Sequence, residues 1–495
     1  MQFRTERDPL GEHAVPADAY YGIQTVRARE NFPISGLCAP ADLVTATVLV
    51  KKAAAAANME LERLDTRVGD AIVRAADEVL SGSLRDQFVV DVYQAGAGTS
   101  HNMNTNEVLA NRAAEILGGA RGEYTLVHPN DHVNMAQSTN DVFPAATRLA
   151  LLLMHGALVE SARRLAASLD RKAREFDTIL KVGRTHLQDA VPMTLGQEFG
   201  GYAECIARGA DDVAHASEQL RELNLGATAV GTGLNAGDDY TQLAIRNLSR
   251  YTGLELVPAR NRFRVTQSMG DVLAYSGAMR RLSVELSKVA SDLRLLSMGP
   301  RAGISEIALP AVQPGSSIMP GKINPSVPEM VNQVCYQVIG CDTTICVAAE
   351  AGQLELNVMM PVIAWNAIHA STILRESMKV LRTRCVDGIE ADRQRCRELL
   401  DRSTAVATAL NPYIGYARTA EIAKESVKTG KPIRELVLER GLLDATQLDR
   451  ILSVEAMTQP GVVPASASGD SAEATARPRQ SAPQARDDGG KEKAR

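Results

Sequence analysis

From Phe143 to about Phe176 the leucines Leu149, Leu152, Leu153, Leu158, Leu165 and Leu169 recur at helical spacing, with arginine and glutamate between them. At 1.5 Å per residue a helix of that extent is roughly 50 Å long, well beyond the globular average. Short neighbours cannot cover it, so the rest of the chain must supply helices of similar length. Leu195 to about Leu223, residues 266–297, Pro328 to about Gln353 and Asn357 to about Arg382 carry the same period. Aromatic residues are only 4%, and the alanine run Ala53 to Ala57 suits close helix contacts rather than a strand. The expectation is an all-α fold, a long-helix bundle with smaller N- and C-terminal domains. One chain would struggle to cover every apolar face of such helices, so the bundle is expected to complete itself against copies of the chain.

Four regions follow. Residues 1–140 form an N-terminal domain, of which 1–40 are rich in Pro and Gly and read as irregular, and Asp42 to about Leu80 as helical. Residues 141–395 are the central long-helix domain. Residues 396–460 form a small helical C-terminal domain, with helices near Ala417–Thr429, Pro432–Arg440 and Ala445–Glu455. Residues 461–495 are Pro, Ala, Ser, Gly and charge, cannot bury a core, and read as a disordered tail.

Composition narrows the partners. With 495 residues, a net charge of −5 and 23% charged residues, the chain has no polyanion-binding surplus, so no nucleic acid is expected. The seven cysteines are odd in number and scattered without a CxxC pair, which suits reduced thiols in the cytoplasm. The charged N-terminus is no signal peptide, and no run approaches the roughly 20 apolar residues of a membrane span.

The chemistry is concentrated in the connections between helices. Thr99 with Ser100, Ser138-Thr139-Asn140, Thr185-His186, and Ser316-Ser317 with Lys322 and Asn324 supply neutral donors, one cation and one imidazole. That is the equipment for holding a small dianion through directed hydrogen bonds, the lysine giving the point charge. Ser138 and Thr139 also stand where a helix dipole would be positive. Taken singly, each has a plainer explanation. Ser138-Thr139-Asn140-Asp141 is a good helix cap, and Thr185-His186 would usually be a surface loop. Gly315 to Pro325 is full of turn residues and could be punctuation. A metal site has little support, because Pro129 argues against a helix presenting His128 and His132 together.

Considered together, these stretches resemble one family in its own order. Gly315-Ser316-Ser317-Ile318-Met319-Pro320-Gly321-Lys322-Ile323-Asn324-Pro325 looks like the signature loop of the class II fumarase/aspartase superfamily. Asp18 to Thr25, Gly96 to Asn104, His128 to Asn134, Gln137 to Asp141 and Gly183 to His186 resemble the same family. The likeness spans roughly residues 5–460. Gly98-Thr99-Ser100 and Ser138-Thr139-Asn140 look like the aspartase branch, as do Pro328 to Val334, Gly352 to Met359 and the C-terminal module from Asn411 to Glu435.

That resemblance implies a carbon–nitrogen lyase converting L-aspartate to fumarate and ammonia through an enediolate. The alternative is a class II fumarate hydratase acting on fumarate and L-malate. It implies Ser316 as the base, with Thr99, Ser138, Thr139 and Ser317 holding the β-carboxylate. Lys322 and Asn324 with Thr185 would bind the α-carboxylate, and Asn140 and His186 would lie near the amino group. It further implies a homotetramer with a central many-helix core and sites shared between subunits, and no required cofactor or metal ligand, although divalent cations activate some relatives. Met360 stands where relatives commonly carry Glu.

Overall fold

The computed structural model describes residues 2–463. The tail expected from 461 onward therefore lies, from residue 464, outside the described residues. Among the described residues two compact units are present: 2–179 with Thr194–Arg397, and Leu180–Met193 with 398–463.

The first unit opens with β1 (Phe3–Asp8) and β2 (Gly11–Pro16), antiparallel from Phe3↔Pro16 to Asp8↔Gly11, followed by helix α1 (Ile23–Asn31). The segment up to residue 40, expected to be irregular, thus carries a hairpin and a helix, and the fold is mostly helical rather than strictly all-α. The hairpin is hard to read because its buried positions include a charge: Glu6 is 3% exposed and accepts the Ile23 N–H. No apolar alternation marks it.

Helices α2 (Ala41–Glu60), α3 (Thr66–Leu80) and α4 (Thr99–Ile116) follow, where one helical stretch had been expected to Leu80. Asp65 makes the break, its carboxylate accepting the N–H groups of Arg67 and Val68 to start α3. Ala53 to Ala57 are all buried, as close helix packing requires.

Next comes α5 (Thr139–Glu175), 37 residues long. It is long and apolar enough to cross a membrane, contrary to the sequence expectation, but 78% of that apolar stretch is buried inside the fold. The strands β3 (Leu180–Thr185) and β4 (Gln188–Thr194) then lead into α6 (Leu195–Ser217). Further on, β5 (Glu222–Leu223), α7 (Asp238–Thr252) and β6 (Val257–Pro258) form a small excursion closed by parallel pairing of the two strands. The bundle resumes with α8 (Arg262–Gln267) and α9 (Gly270–Leu296). It is completed by β7 (Ile307–Ala308), α10 (Ser326–Glu350), α11 (Met360–Arg384) and β8 (Glu390–Ala391).

The main core runs along α5, α6, α9, α10 and α11 and includes Leu149, Leu158, Leu165 and Leu169. Each such leucine contributes about 2 kcal/mol of apolar burial. Met360 is fully buried in this core at the start of α11.

Bonds at both ends fix the direction of α5. Near its start, Arg148 forms a buried pair with Asp271 at 2.8 Å, at the start of α9. Near its end, Arg171 meets Asp387 at 2.9 Å, and Lys172 Nζ donates to Ile389 O at 2.8 Å. These lie just beyond α11.

In the second unit β3 and β4 pair as a hairpin. The chain returns through α12 (Arg393–Arg402) to α13 (Ala407–Ile414), α14 (Tyr416–Thr429), α15 (Ile433–Glu439), α16 (Ala445–Ile451) and α17 (Val454–Thr458). A separate core of Leu180, Val182, Leu410, Ile422, Leu436 and Leu448 holds it together.

Candidate active site

Two of the predicted stretches meet in the first unit. Thr99 begins α4 directly after Gly98, whose φ is +85°. The long helix begins at Ser138, whose Oγ accepts the Asn140 N–H at 3.2 Å while Asp141 accepts the Ser138 N–H at 2.9 Å. The cap and the candidate site are therefore the same residues. The caps leave Thr99 exposed and Ser138, Thr139 and Asn140 half-buried. Gly98 brings the two helix starts together, since a Cβ on it would meet the Phe143 ring at 2.1 Å.

A Gly-rich loop is tied to the same place. Asp141 also accepts the N–H groups of Gly226 and Thr228, both at 3.0 Å. The Asn140 amide donates to Ala229 O at 2.8 Å and the Asn224 amide to Asn140 O at 3.1 Å. Burial drives the Asp141 carboxyl up to about 6 against these three N–H donors. The start of α11 joins the cluster through the Ala97 N–H, which donates to Val358 O at 2.9 Å.

The Ser316 loop is elsewhere. The Gly315 N–H donates to Lys322 O at 2.9 Å and the Asn324 amide to Gly315 O at 2.7 Å, closing the loop on itself. Ser316 Oγ accepts N–H bonds from Ile318 at 3.2 Å and Met319 at 3.0 Å. The loop bounds a surface cavity of about 570 Å³ with Ser316 and Lys322 on its wall. A second cavity of about 740 Å³ adjoins Lys322 and Asn324 and is lined also by Arg294 and Glu329. Ser317 and Lys322 are exposed.

This loop departs from β7, which pairs antiparallel with β8, beside the end of α5. Thr99 and Ser138–Asn140 sit at the other end. Between Ser138 and Lys172 the helix spans roughly 50 Å. Within one chain, then, the hydroxyls at the helix starts and the Ser316–Lys322 loop are not brought together.

Thr185 and His186 belong to the second unit. They close the β3–β4 hairpin, with His186 at φ +56° and Leu187 at +58°. Two successive residues at positive φ give the hairpin its tight two-residue turn, at a cost of about 1–2 kcal/mol for each non-glycine residue. Both Thr185 and His186 are exposed.

His128 and His132 each have Nδ1 engaged by backbone N–H groups. Nδ1 of His128 accepts the N–H groups of Asn130 and Asp131, and Nδ1 of His132 accepts the His128 N–H at 2.9 Å.

Sequence reasoning missed Arg294 and Glu329 beside the loop, and a buried Lys51 beneath the Ser138 cap. Glu329 could have been found one turn into the helix that the loop opens. Lys51 and Lys52 directly precede the alanine run, where a lysine on the packed face of the helix is out of place.

A long-helix bundle carrying hydroxyl-rich loops at its ends, one of them Ser-Ser with Lys and Asn, defines a lyase of the fumarate-lyase architecture. Comparison with known proteins agrees. The family model described as "Lyase" matches residues 11–340, and the one described as "Fumarase C C-terminus" matches 406–459. The chain belongs to the class II fumarase/aspartase superfamily. It is 49% identical to an aspartate ammonia-lyase of Bacillus sp, over 93% of this chain and 98% of the relative. The corresponding protein of Pseudomonas fluorescens is 51% identical, over 93% and 97%. That of Escherichia coli strain K12 is 50% identical, over 92% and 96%. Among solved structures, a Brucella melitensis protein described as a fumarate lyase:delta crystallin bound to cobalt has a TM-score of 0.90 at 51% identity, covering 93% of this chain and 100% of that one. A class II fumarase from Schistosoma mansoni gives 0.89 at 37% identity, with the same coverage.

Proposed function

We propose that the chain catalyses the reversible deamination of L-aspartate to fumarate and ammonia, the activity for which its Bacillus, Pseudomonas and Escherichia relatives are named. The fumarate hydratase alternative is less favoured, because the fumarase relative is 37% identical where the aspartate ammonia-lyases are about 50%.

The observation that carries the chemistry is the pair of backbone N–H groups on Ser316 Oγ. A serine is a poor base at neutral pH unless negative charge on its oxygen is stabilised, and two N–H donors with Lys322 nearby supply that. In the proposed reaction Ser316 Oγ takes the proton from Cβ, leaving the β-carboxylate as an enediolate. The C–N bond then breaks, ammonia leaves, and the electron pair forms the double bond of fumarate. Thr99, Ser138, Thr139 and Ser317 hold the oxygens on which charge grows, where donors help most. Lys322, Asn324 and Thr185 bind the other carboxylate, and Asn140 and His186 attend the leaving amine. Every step uses side chains of the protein and none requires a cofactor.

We infer that these groups come from more than one copy, an inference supported by the two halves within the first unit standing at opposite ends of the bundle; the homotetramer is the assembly that the family resemblance implies. A face for assembly is available. On α10, Gln333, Tyr336, Gln337, Gly340, Thr343, Thr344 and Val347 are exposed along one stripe without a charge, Tyr336 being 60% and Val347 65% exposed. Such an uncharged helix face suits packing against a second copy.

The test is to supply L-aspartate and L-malate separately and follow fumarate absorbance. Fumarate from L-aspartate is expected. Fumarate from L-malate alone would replace this reading with the hydratase.

A further inference from the structure

Beneath the turn that precedes α5 lies a layer of buried polar side chains that the proposed chemistry does not use. Lys51, on α2, is fully buried, and its ammonium donates to Asn134 Oδ1 at 2.8 Å and Gln137 Oε1 at 2.9 Å. Asn134 Oδ1 also accepts the amides of Asn102 and Asn106, both at 3.3 Å, and the Asn134 amide donates to Gln137 O at 3.2 Å. The Gln137 amide in turn donates to Val133 O and Met135 O at 3.1 Å. Asn58, also on α2, donates to Met135 O at 3.1 Å. The segment between Asn134 and Ser138 has no regular secondary structure, and Ala136 within it is at φ +60°. Backbone bonds close the turn itself, the Gln137 N–H donating to Asn134 O at 3.1 Å, and these side chains anchor it to α2 and α4; Ser138 is the residue after Gln137.

A buried ammonium is an expensive way to join a helix to a turn. Several kcal/mol of desolvation must be offset, and apolar residues of similar volume commonly do as well or better for stability. Burial lowers the Lys51 pKa from 10.5 to about 7, and the carboxylate of Asp141 on α5 opposes that shift, while the neighbouring His101 on α4 is held neutral by its own burial first and by Lys51 second. What the ammonium provides and an apolar side chain cannot is two directed bonds to the turn itself.

We propose that Lys51 is a positioning residue for substrate binding: through Asn134 and Gln137 it fixes the 134–138 turn so that the α5 start presents Ser138, Thr139 and Asn140 to a dicarboxylate. The proposal rests on the reading that these residues bind the substrate.

The test compares wild type with Lys51→Met, which keeps the unbranched stem, one atom shorter, and removes the donors. Wild type is first assayed on both L-aspartate and L-malate, and KM is then measured on whichever is turned over. Failure of the ammonia-lyase reading thus appears in the wild type alone, and the Lys51 comparison remains readable. The variant is expected to unfold at the same temperature as wild type or higher, while KM rises about tenfold or more and kcat falls by less. A folded Lys51→Met with KM within about twofold of wild type overturns the proposal. Should that variant not fold, Asn134→Asp keeps an oxygen facing Lys51 and loses the amide bond to Gln137 O. It is expected to raise KM by about threefold to tenfold, and an unchanged KM there likewise overturns the proposal.

Discussion

Gly98 lies against Phe143 so closely that a Cβ on it would fall 2.1 Å from Cδ2 of the ring. The contact sets the start of α4 against the first turn of α5, which is what puts Thr99 beside Ser138–Asn140. Gly98 also has φ +85°, so any side chain is doubly opposed, by backbone strain and by the ring. Gly98→Ala is expected to cost roughly 2–4 kcal/mol, combining the left-handed penalty with overpacking. Urea unfolding measures this directly. A variant as stable as wild type would show that the two helix starts are not locked by this contact.

Much of this arrangement is legible in the sequence, and the parts that are not have physical causes. The period of Leu149, Leu158, Leu165 and Leu169 announces α5 because a buried stripe must repeat as the helix does. Ser138 and Asp141 announce its start because caps depend on local chemistry. The hairpin of β1 and β2 hides because Glu6 is buried through hydrogen bonds rather than apolar character. The opposed ends occupied by Ser138 and Ser316 are also hidden, since motif order along a chain carries no distance. The burial of Lys51 is hidden as well, because it depends on which face of α2 turns inward.

Ser316 has a narrower role than the residues around it. If it takes the Cβ proton, Ser316→Ala removes the base while leaving Lys322, Asn324 and the helix starts to bind substrate. Turnover should fall by a factor of about 10³ or more, with affinity for a non-reacting dicarboxylate such as succinate changed by less than about threefold. Stopped or steady-state fumarate release and succinate titration separate the two quantities. Retained turnover would assign the proton transfer to another group.

The separation of Ser138 from the Ser316 loop gives a test of assembly. Ser316→Ala chains and Asn140→Ala chains should each be inactive or nearly so. If a site draws these residues from different copies, oligomers formed by denaturing and refolding a mixture will contain some sites with both residues intact. Activity of the mixture should then exceed that of either variant many-fold, approaching about a quarter of wild type for random assortment. A mixture no more active than its components would show that each chain carries a whole site.

His101 is packed between Phe88 and Phe143, with ring centroids 6.5 Å and 5.9 Å away, and is 1% exposed. Its Nε2 bonds to Thr47 Oγ1 at 3.0 Å. Burial first, and the neighbouring Lys51 second, hold the ring neutral by lowering its pKa from 6.5 to about 4. Between those values the unfolded chain takes up a proton that the folded ring refuses, so stability is full above pH 6.5 and is lost as pH falls towards 4. The loss attached to this one group is of the order of 3 kcal/mol. His101→Gln can keep the bond to Thr47 but cannot titrate. The stability advantage of wild type over this variant should therefore shrink by that amount between neutral pH and pH 4, with Glu107 and Asp141 common to both proteins. Urea unfolding of the pair at several pH values reads the difference, and a gap independent of pH would mean that the imidazole is free to protonate where it lies.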